Sequence, residues 1–311
     1  MALNDFAGKI AVITGGGTGM GRELALALAA EGCSVAMCDV SAANMAETER
    51  LCRAAAPQGT MVHCTRADVS IEAEMNAWAD EVRTAFDTDK IHLLFNNAGI
   101  AGGGSFVAGE RAAWERTFNI CFYGVIHGVR AFLPLLKNAD AGHIVNTSSV
   151  NGFWATLGPQ RPHTAYSAAK FAVKGFTEAL IVDLANNAPH ITCSVVMPGH
   201  IGTDIAGNSM RIQGGVEKEL KFILESQGVD PASLSEDQII ELANSGFRDN
   251  APMSSAEAAK VILDGVQAGQ WRILVGKDAE ALDQAVRERP EQAYTQSFMD
   301  ELKASGHFQT I

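Results

Sequence analysis

The sequence lacks the features of several large classes of protein. No run of lysine or arginine occurs and the net charge is −12, so no nucleic-acid partner is predicted. The first apolar run, residues 10–13, is far too short for a signal peptide or a membrane span, so no membrane partner is predicted either. Internal repeats and low-complexity linkers are missing as well.

Cysteine and histidine are present without the spacings that would give them a role. None of the six cysteines forms a C-x-x-C pair, so a reducing cytoplasmic location is predicted. The eight histidines show no metal-ligand spacing, so no metal is predicted. His163 and His200 are expected to be solvated or hydrogen-bonded loop residues, with a place at the rim of an active site as the alternative.

Short β-branched runs alternate along the chain with longer helical stretches. This pattern predicts an α/β fold of the doubly wound Rossmann type, with a mostly parallel seven-stranded sheet covered by helices on both faces. The 311 residues are 47% hydrophobic, which suits one domain over 1–311 better than two. The predicted strands are 10–14, 34–39, 61–68, 91–95, 143–148, 191–197 and 271–275.

Two segments depart from that alternation. Residues 204–250 are polar and helix-forming, and they precede the last strand. Because open α/β sheets bind ligands beyond the carboxyl ends of their strands, this insertion is predicted to be a substrate lid, with a plain surface excursion as the alternative. Residues 277–311 are predicted to form a C-terminal helical extension.

The first strand runs directly into a glycine-rich turn. Gly15, Gly19 and Gly21 have the spacing G-x-x-x-G-x-G, and an Ala/Leu-rich helix follows. Glycines allow a sharp turn close to a pyrophosphate, and the helix N-terminus offers free N–H groups and the positive end of its dipole. The position between strand and helix therefore predicts a dinucleotide site.

Asp39 ends the second strand. A carboxylate there can accept hydrogen bonds from both hydroxyls of an adenosine ribose and would repel a 2′-phosphate. No arginine or lysine occupies positions 40–43. NAD(H) is therefore predicted rather than NADP(H).

Tyr166 and Lys170 are four residues apart in a predicted helix, 164–185, so they share one face. A phenol has a pKa of about 10, too high for a base at neutral pH. A neighbouring ammonium and a cationic nicotinamide would both favour the phenolate, which gives Tyr166 a route to acid/base chemistry.

Taken together, these motifs resemble those of the short-chain dehydrogenase/reductase family, over roughly 6–203 and again at 254–276. Besides the glycine turn and Asp39, the matching pieces are Asp68-Val69, NNAG at 96–99, Asn119, the serine pair at 148–149, YSAAK at 166–170 and MPGHIGT at 197–203. The residues predicted to contact NAD(H) are Gly15, Thr18, Gly19, Met20, Asp39, Val40, Asp68, Val69, Asn97, Ala98, Gly99, Tyr166, Lys170, Pro198, Gly199, Ile201 and Thr203.

The resemblance also implies catalytic roles. Tyr166 would be the acid/base, and Ser149 would orient and polarise the substrate oxygen. Lys170 would hold the nicotinamide ribose and lower the pKa of Tyr166, and Asn119 would position a water behind Lys170 in a proton relay. The segment 198–203 would hold the carboxamide.

The reaction this implies is hydride transfer between NAD(H) and a secondary alcohol or ketone. The alternatives are an isomerase or dehydratase on the same scaffold, or a catalytically idle NAD-binding sensor or scaffold. The loop 151–163 looks longer than is usual in the family, so it should border the substrate pocket. If Phe153 and Trp154 line that pocket, the substrate is medium-sized and apolar.

The stretch 114–137 is apolar on more than one side. Such a helix must bury more than one face, so one face is predicted to pack on the sheet and the other on a partner subunit. A homo-oligomer is therefore expected, and the resemblance favours a tetramer over a dimer. Burial under the chain's own C-terminal tail is the alternative.

Overall fold

Seven parallel strands form the centre of the molecule. The computed structural model describes residues 5–158, 161–215 and 230–308. All seven predicted strands are present, and the order across the sheet is β3-β2-β1-β4-β5-β6-β9. The strands are β1 Ile10–Thr14, β2 Ser34–Asp39, β3 Val62–Arg66, β4 Leu93–Asn96, β5 Gly142–Thr147, β6 Ile191–Pro198, β7 Ile201–Gly202, β8 Met253–Ser254 and β9 Arg272–Val275. The short strands β7 and β8 pair separately.

The strand order creates a crevice at one edge of the sheet. Strand β1 pairs in parallel with β2 on one side and with β4 on the other, so the direction of winding reverses between β1 and β4. In open α/β sheets, ligands bind beyond the carboxyl ends of the strands at such a point. The fold therefore brings the glycine turn after β1, Asp39 and the NNAG segment to one place.

Helices cover both faces of the sheet. On one face, Leu24 and Leu28 pack with Ile262 against the strands. On the other face, Trp78, Phe132 and further apolar side chains form a second core. The predicted doubly wound architecture is thus confirmed. The helices are α1 Gly19–Ala30, α2 Ala42–Ala55, α3 Glu72–Ala85, α4 Arg111–Phe118, α5 Gly124–Lys137, α6 Thr164–Asn187, α7 Ile205–Gln213, α8 Glu236–Asp249, α9 Ser255–Gln267, α10 Lys277–Glu288 and α11 Gln296–Ala304.

Local capping fixes where several helices begin. Ser235 and Ser254 open α8 and α9, and each forms a reciprocal capping box with the side chain three residues later. Ser70, which also stands where a cap would be expected, does not cap α3. Its hydroxyl donates instead to Asp68 Oδ1, 2.7 Å away, and the helix starts after Ile71.

A π turn, Asn119–Tyr123, joins α4 to α5 into one long helix. This helix, 111–137, is long and apolar enough for a membrane span by length and composition alone, but half of its apolar window is buried inside the fold. Phe132 packs edge-to-face on Trp78 of α3. On the other side, neighbouring aromatic rings, Phe118 and Tyr123 among them, form a row that is called here the aromatic ladder. Tyr123 is 46% exposed.

The described parts of the insertion and of the tail are largely helical, as predicted. In the insertion, α7 packs on α8, and the Gly207 N–H donates to Asn244 Oδ1 at 2.7 Å. Residues 216–229 of the insertion, which is predicted to be a lid, lie outside the described residues. In the tail, α10 and α11 pack against residues 150–154. The described part of the tail therefore does not form the cover considered for the long helix.

Candidate active site

The glycine turn after β1 has a geometry that only glycine satisfies. Gly15 and Gly19 have φ angles of +68° and +55°, in the left-handed region that glycine enters without strain. A Cβ atom on Gly15 would lie 2.8 Å from Ala98 Cα. Helix α1 begins at Gly19, so its first N–H groups have no partner within the helix and face the crevice as an anion site.

Asp39 stands beside this turn at the end of β2. Its carboxylate accepts hydrogen bonds from the Gly17 N–H at 3.1 Å and from the Ser41 N–H at 2.9 Å. Ser41 caps α2 through its own hydroxyl, so Asp39 is not the helix cap. Arg22 approaches the same turn, but its guanidinium donates to Gly17 O at 2.5 Å and to Thr48 Oγ1 at 2.9 Å.

The ends of β1 and β4 are tied together by Thr14. Its hydroxyl oxygen accepts the N–H groups of Asn97 and Ala98, both at 3.0 Å, and Asn97 Nδ2 donates to Thr14 O at 3.2 Å. The buried Oδ1 of Asn97 has no hydrogen-bond partner among the described residues. Buried polar atoms are rarely left unpaired, so this oxygen is available to a ligand.

Tyr166 and Lys170 lie one turn apart on α6, as predicted from their spacing. Lys170 is 3% exposed, and its Nζ donates to Thr147 O at 2.8 Å. The same nitrogen lies 5.3 Å from the centroid of the Tyr166 ring. An ammonium group carries three protons, so Lys170 can donate to a ligand as well as to the backbone.

The two serines after β5 point in different directions. Ser148 is 1% exposed, and its hydroxyl donates to Lys170 O at 2.8 Å. Ser149 hydrogen-bonds to the hydroxyl of Tyr166, and it also accepts the Asn151 N–H at 3.1 Å. The structure therefore places Ser149, and not Ser148, at the tyrosine.

Burial dominates the electrostatics of this group. It raises the pKa of Tyr166 well above its usual range, and the hydrogen bond from Ser149 lowers that pKa by less. Burial also lowers the pKa of Lys170. The sequence predicts the opposite shift for Tyr166, through the Lys170 ammonium, and that effect does not prevail in the chain alone because the cost of burying a phenolate is larger.

Asn119 does not lie where the proton relay requires it. Its side chain is exposed, at the start of the π turn. Cys121 lies there instead: it is fully buried, donates from Sγ to Ile100 O at 3.2 Å, and interacts electrostatically with Lys170. At about 100° per residue, two positions along a helix face nearly opposite sides. The assignment of Asn119 is therefore wrong, and the apolar stripe that includes Cys121 was the usable signal.

The segment 198–203 continues from β6, and its backbone forms hydrogen bonds to β9 and to the C-terminal extension. The Gly199 N–H donates to Val275 O at 2.9 Å, and the His200 N–H donates to Asp278 Oδ2 at 2.7 Å. Asp278 is 3% exposed, and a Cβ on Gly199 would collide with its carboxylate. Sequence reasoning missed Asp278, because nothing in a charged tail distinguishes one buried acid. At the far end of the segment, Thr203 is the nearest neighbour that a Cβ on Gly19 would meet.

The remaining predicted cofactor residues lie around the same crevice. Met20 is in the first turn of α1, Val40 is 40% exposed after Asp39, and Val69 is buried where a Cβ on Gly124 would meet it. Asp68 holds the turn before α3 by accepting from Ser70.

The loop after Ser149 differs from expectation. Trp154 is 1% exposed, its Nε1 donates to Ala293 O at 2.6 Å, and it packs with Phe298 and Phe308 of the tail. Phe153 lies under the Arg272 guanidinium, 5.9 Å from its ring centroid. The condition for an apolar substrate, that Phe153 and Trp154 line the pocket, is not met, because both side chains pack with residues of β9 and the C-terminal extension.

Helix α7 lies across the crevice. Asn208 Nδ2 donates to Thr18 Oγ1 at 3.1 Å, next to the glycine turn. The Ala101 N–H donates to Ser209 Oγ at 2.8 Å, and Gln213 Nε2 donates to Thr117 Oγ1 at 2.9 Å. The first helix of the insertion therefore spans from the glycine turn to the loop after β4.

The arrangement fits a nicotinamide dinucleotide. The helix N-terminus can take the pyrophosphate and Asp39 can take the adenosine ribose, while Lys170 and the unpaired Asn97 Oδ1 are groups that could hold the second ribose. Among residues 5–158, 161–215 and 230–308, no group of three or more His, Cys, Asp or Glu side chains could hold a metal ion.

Comparison with known proteins agrees with this geometry. The family described as short chain dehydrogenase matches residues 9–213. The oxidoreductase SadH of Mycobacterium tuberculosis is 39% identical over 287 residues, 92% of each chain. Levodione reductase of Leifsonia aquatica is 32% identical over 270 residues, 86% of this chain and 96% of that one. A short chain dehydrogenase/reductase from Burkholderia phymatum, solved in complex with NAD, is 31% identical with a TM-score of 0.75, over 94% of this chain and 97% of that one. The chain belongs to the short-chain dehydrogenase/reductase family of oxidoreductases.

Proposed function

We propose that this protein is an NAD(H)-dependent oxidoreductase that interconverts a secondary alcohol and a ketone. The observation that carries the proposal is the group formed by Ser149, Tyr166 and Lys170 at the edge of the sheet that also holds Asp39 and the glycine turn. A phenol hydrogen-bonded to a serine, beside a buried lysine, can exchange a proton with a substrate oxygen.

Each side chain has a task in this reaction. The nicotinamide, when bound, supplies or accepts the hydride. The Tyr166 hydroxyl gives its proton to the forming alkoxide of a ketone, or takes the proton of an alcohol. Ser149 orients the same oxygen through its hydroxyl, and Lys170 holds the nicotinamide ribose. Since burial alone raises the pKa of Tyr166, the cationic nicotinamide must favour the phenolate when an alcohol is oxidised.

NAD(H) is preferred over NADP(H) in this proposal. The Asp39 carboxylate stands where a 2′-phosphate would have to lie, and like charges repel. Arg22, the cation near this turn, is engaged by Gly17 O and Thr48. The NAD complex of the Burkholderia phymatum relative supports the same choice.

The protein acts as one domain in the cytoplasm and as a homo-oligomer, with a tetramer favoured over a dimer. The aromatic ladder of the long helix supports the assembly, because its exposed members, Tyr123 among them, are of the kind that subunit interfaces cover. Light scattering that gives the monomer mass of 32.9 kDa at micromolar concentration would contradict it.

A panel of secondary alcohols and ketones, followed by the absorbance of NADH, tests the reaction. Turnover by the wild type, together with its loss in Tyr166→Phe, is the expected result. A protein that binds NADH tightly but turns over no member of the panel would instead be the idle sensor considered from the sequence. Release of water or isomerisation without a change in NADH would indicate the dehydratase or isomerase.

A further inference from the structure

His163 is a buried imidazole packed on the proposed acid/base. It is the residue before α6, yet its side chain makes no capping hydrogen bond to the helix. It is 8% exposed. Its ring centroid lies 4.8 Å from that of Tyr166, with the two planes inclined at 39°. The expectation of a solvated or hydrogen-bonded loop histidine is therefore wrong for His163. His200, by contrast, meets it, since its Nε2 lies 2.7 Å from Phe247 O.

The backbone on both sides of the imidazole is fixed. The Thr164 N–H donates to Gly104 O at 2.9 Å, and the Ala165 N–H donates to Gly103 O at 3.2 Å. A Cβ on Gly104 would lie 2.9 Å from Pro162 O, so the two segments approach as closely as glycine allows. A side chain held on such a support is preorganised for a ligand.

The ring nitrogens of His163 have no hydrogen-bond partner among residues 5–158, 161–215 and 230–308. Another buried histidine, His143, has a partner for each nitrogen. Burial lowers the pKa of His163 to about 4, so at neutral pH the ring offers one donor and one acceptor. Neither ring nitrogen is among the buried side-chain atoms that lack a partner, so both stay accessible and a small polar ligand can reach them.

We propose that His163 determines substrate specificity by hydrogen-bonding a second oxygen of the substrate, on the carbon next to the reacting one. The proposal rests on the proposed function, because it takes the Tyr166 hydroxyl as the group at the reacting oxygen. The two ring centroids are 4.8 Å apart, so a single small substrate can reach both side chains. The preferred substrates are therefore vicinal diketones, α-hydroxyketones and the matching diols, and simple ketones are poorer.

Two variants separate this role from packing. His163→Phe keeps an aromatic ring against Tyr166 but removes both polar atoms, whereas His163→Gln keeps a donor and an acceptor without the ring. The kcat/KM values for hexane-2,3-dione and hexan-2-one are measured with NADH for the wild type and both variants. The intrinsic reactivities of the two ketones cancel when the ratio in a variant is compared with the ratio in the wild type.

In His163→Phe we expect kcat/KM for the diketone to fall by roughly tenfold, the worth of one good hydrogen bond, with the monoketone changed much less. His163→Gln should retain most of the preference. An equal fall for both ketones in His163→Phe would show that the residue only supports Tyr166, and an unchanged ratio would show that its nitrogens do not meet substrate. Either outcome overturns the proposal. A wild type that binds NADH but reduces neither ketone, nor any other member of the panel, would instead overturn the proposed function itself.

Discussion

Strand β5 contains a histidine that should limit stability in acid. The ring of His143 is 3% exposed, and its two nitrogens lie 2.7 Å from Thr192 Oγ1 and 2.8 Å from Ser194 Oγ. Ser194 donates its own proton to Gln270 O, so it accepts from Nε2–H, and Nδ1 then accepts from Thr192. A second proton on this ring would force the Thr192 hydroxyl to turn and accept, and it would place a positive charge in a buried site. Burial accordingly lowers the pKa of His143 to about 4.

The sign and size of the effect follow from linkage. The pKa of His143 is lower in the folded chain than the value of 6.5 expected when it is unfolded. Above pH 6.5 the stabilisation is complete, and it is lost as the pH falls from 6.5 towards 4, because only the unfolded chain then takes up the proton. Each pH unit in that window is worth about 1.4 kcal/mol, so His143 should account for about 2 kcal/mol of the stability lost between pH 8 and pH 5.

Urea unfolding of the wild type and of His143→Gln at both pH values measures this. Glutamine keeps a donor and an acceptor but does not titrate, so the variant should lose about 2 kcal/mol less than the wild type on acidification. Ile144→Val, on the same strand, serves as the control, because it should lower the free energy of unfolding equally at both pH values. Equal losses on acidification in the wild type and in His143→Gln would refute the reasoning.

Three further predictions concern the active site. Tyr166→Phe should lower turnover at least about a hundredfold, the usual cost of losing a general acid/base, while NADH binding measured by fluorescence titration changes little; near-normal turnover would show that another group transfers the proton. Asp39→Ser should narrow the difference between the dissociation constants of NADH and NADPH, since it removes the charge that opposes a 2′-phosphate; a wild type that binds NADPH as well as NADH would contradict this. Asp278→Ala should raise KM for NADH more than it lowers kcat, because the lost acceptor positions the His200 backbone and touches no reacting atom; an equal change in both would assign Asp278 a different role.

The positions of the strands along the chain could be predicted because their signal is local. A β-branched run bounded by a turn and followed by a capped helix identifies a strand from neighbouring residues alone. Tyr166 and Lys170 were found for the same reason, since a spacing of four residues fixes a shared helical face wherever the helix lies. Strand β3 was predicted as 61–68 and is shorter, Val62–Arg66. The Ala67 N–H still donates to Asp39 O, but Asp68 belongs to the turn before α3, where it accepts from Ser70.

The errors have a different origin. Asn119 was assigned to the relay through the family resemblance, whereas the structure brings Cys121 to Lys170. The π turn sets which residue of that stretch faces Lys170, and a π turn has no strong sequence signature. Trp154 and Asp278 were misjudged or missed because their partners lie far along the chain, so no local pattern could report them.

These long-range contacts explain why the lining of the site differs from the apolar lining considered from the sequence. The C-terminal extension removes Trp154 from the crevice and, through Asp278, holds the backbone of the segment 198–203. Trp154 is engaged by the C-terminal extension. At the other end of the loop 151–163, His163 packs against Tyr166. Because the extension binds Trp154, the loop presents the polar ring of His163 to Tyr166 instead of an apolar side chain. On the proposal made for His163, a dicarbonyl or hydroxyketone suits the site better than the apolar substrate expected if Phe153 and Trp154 had lined it.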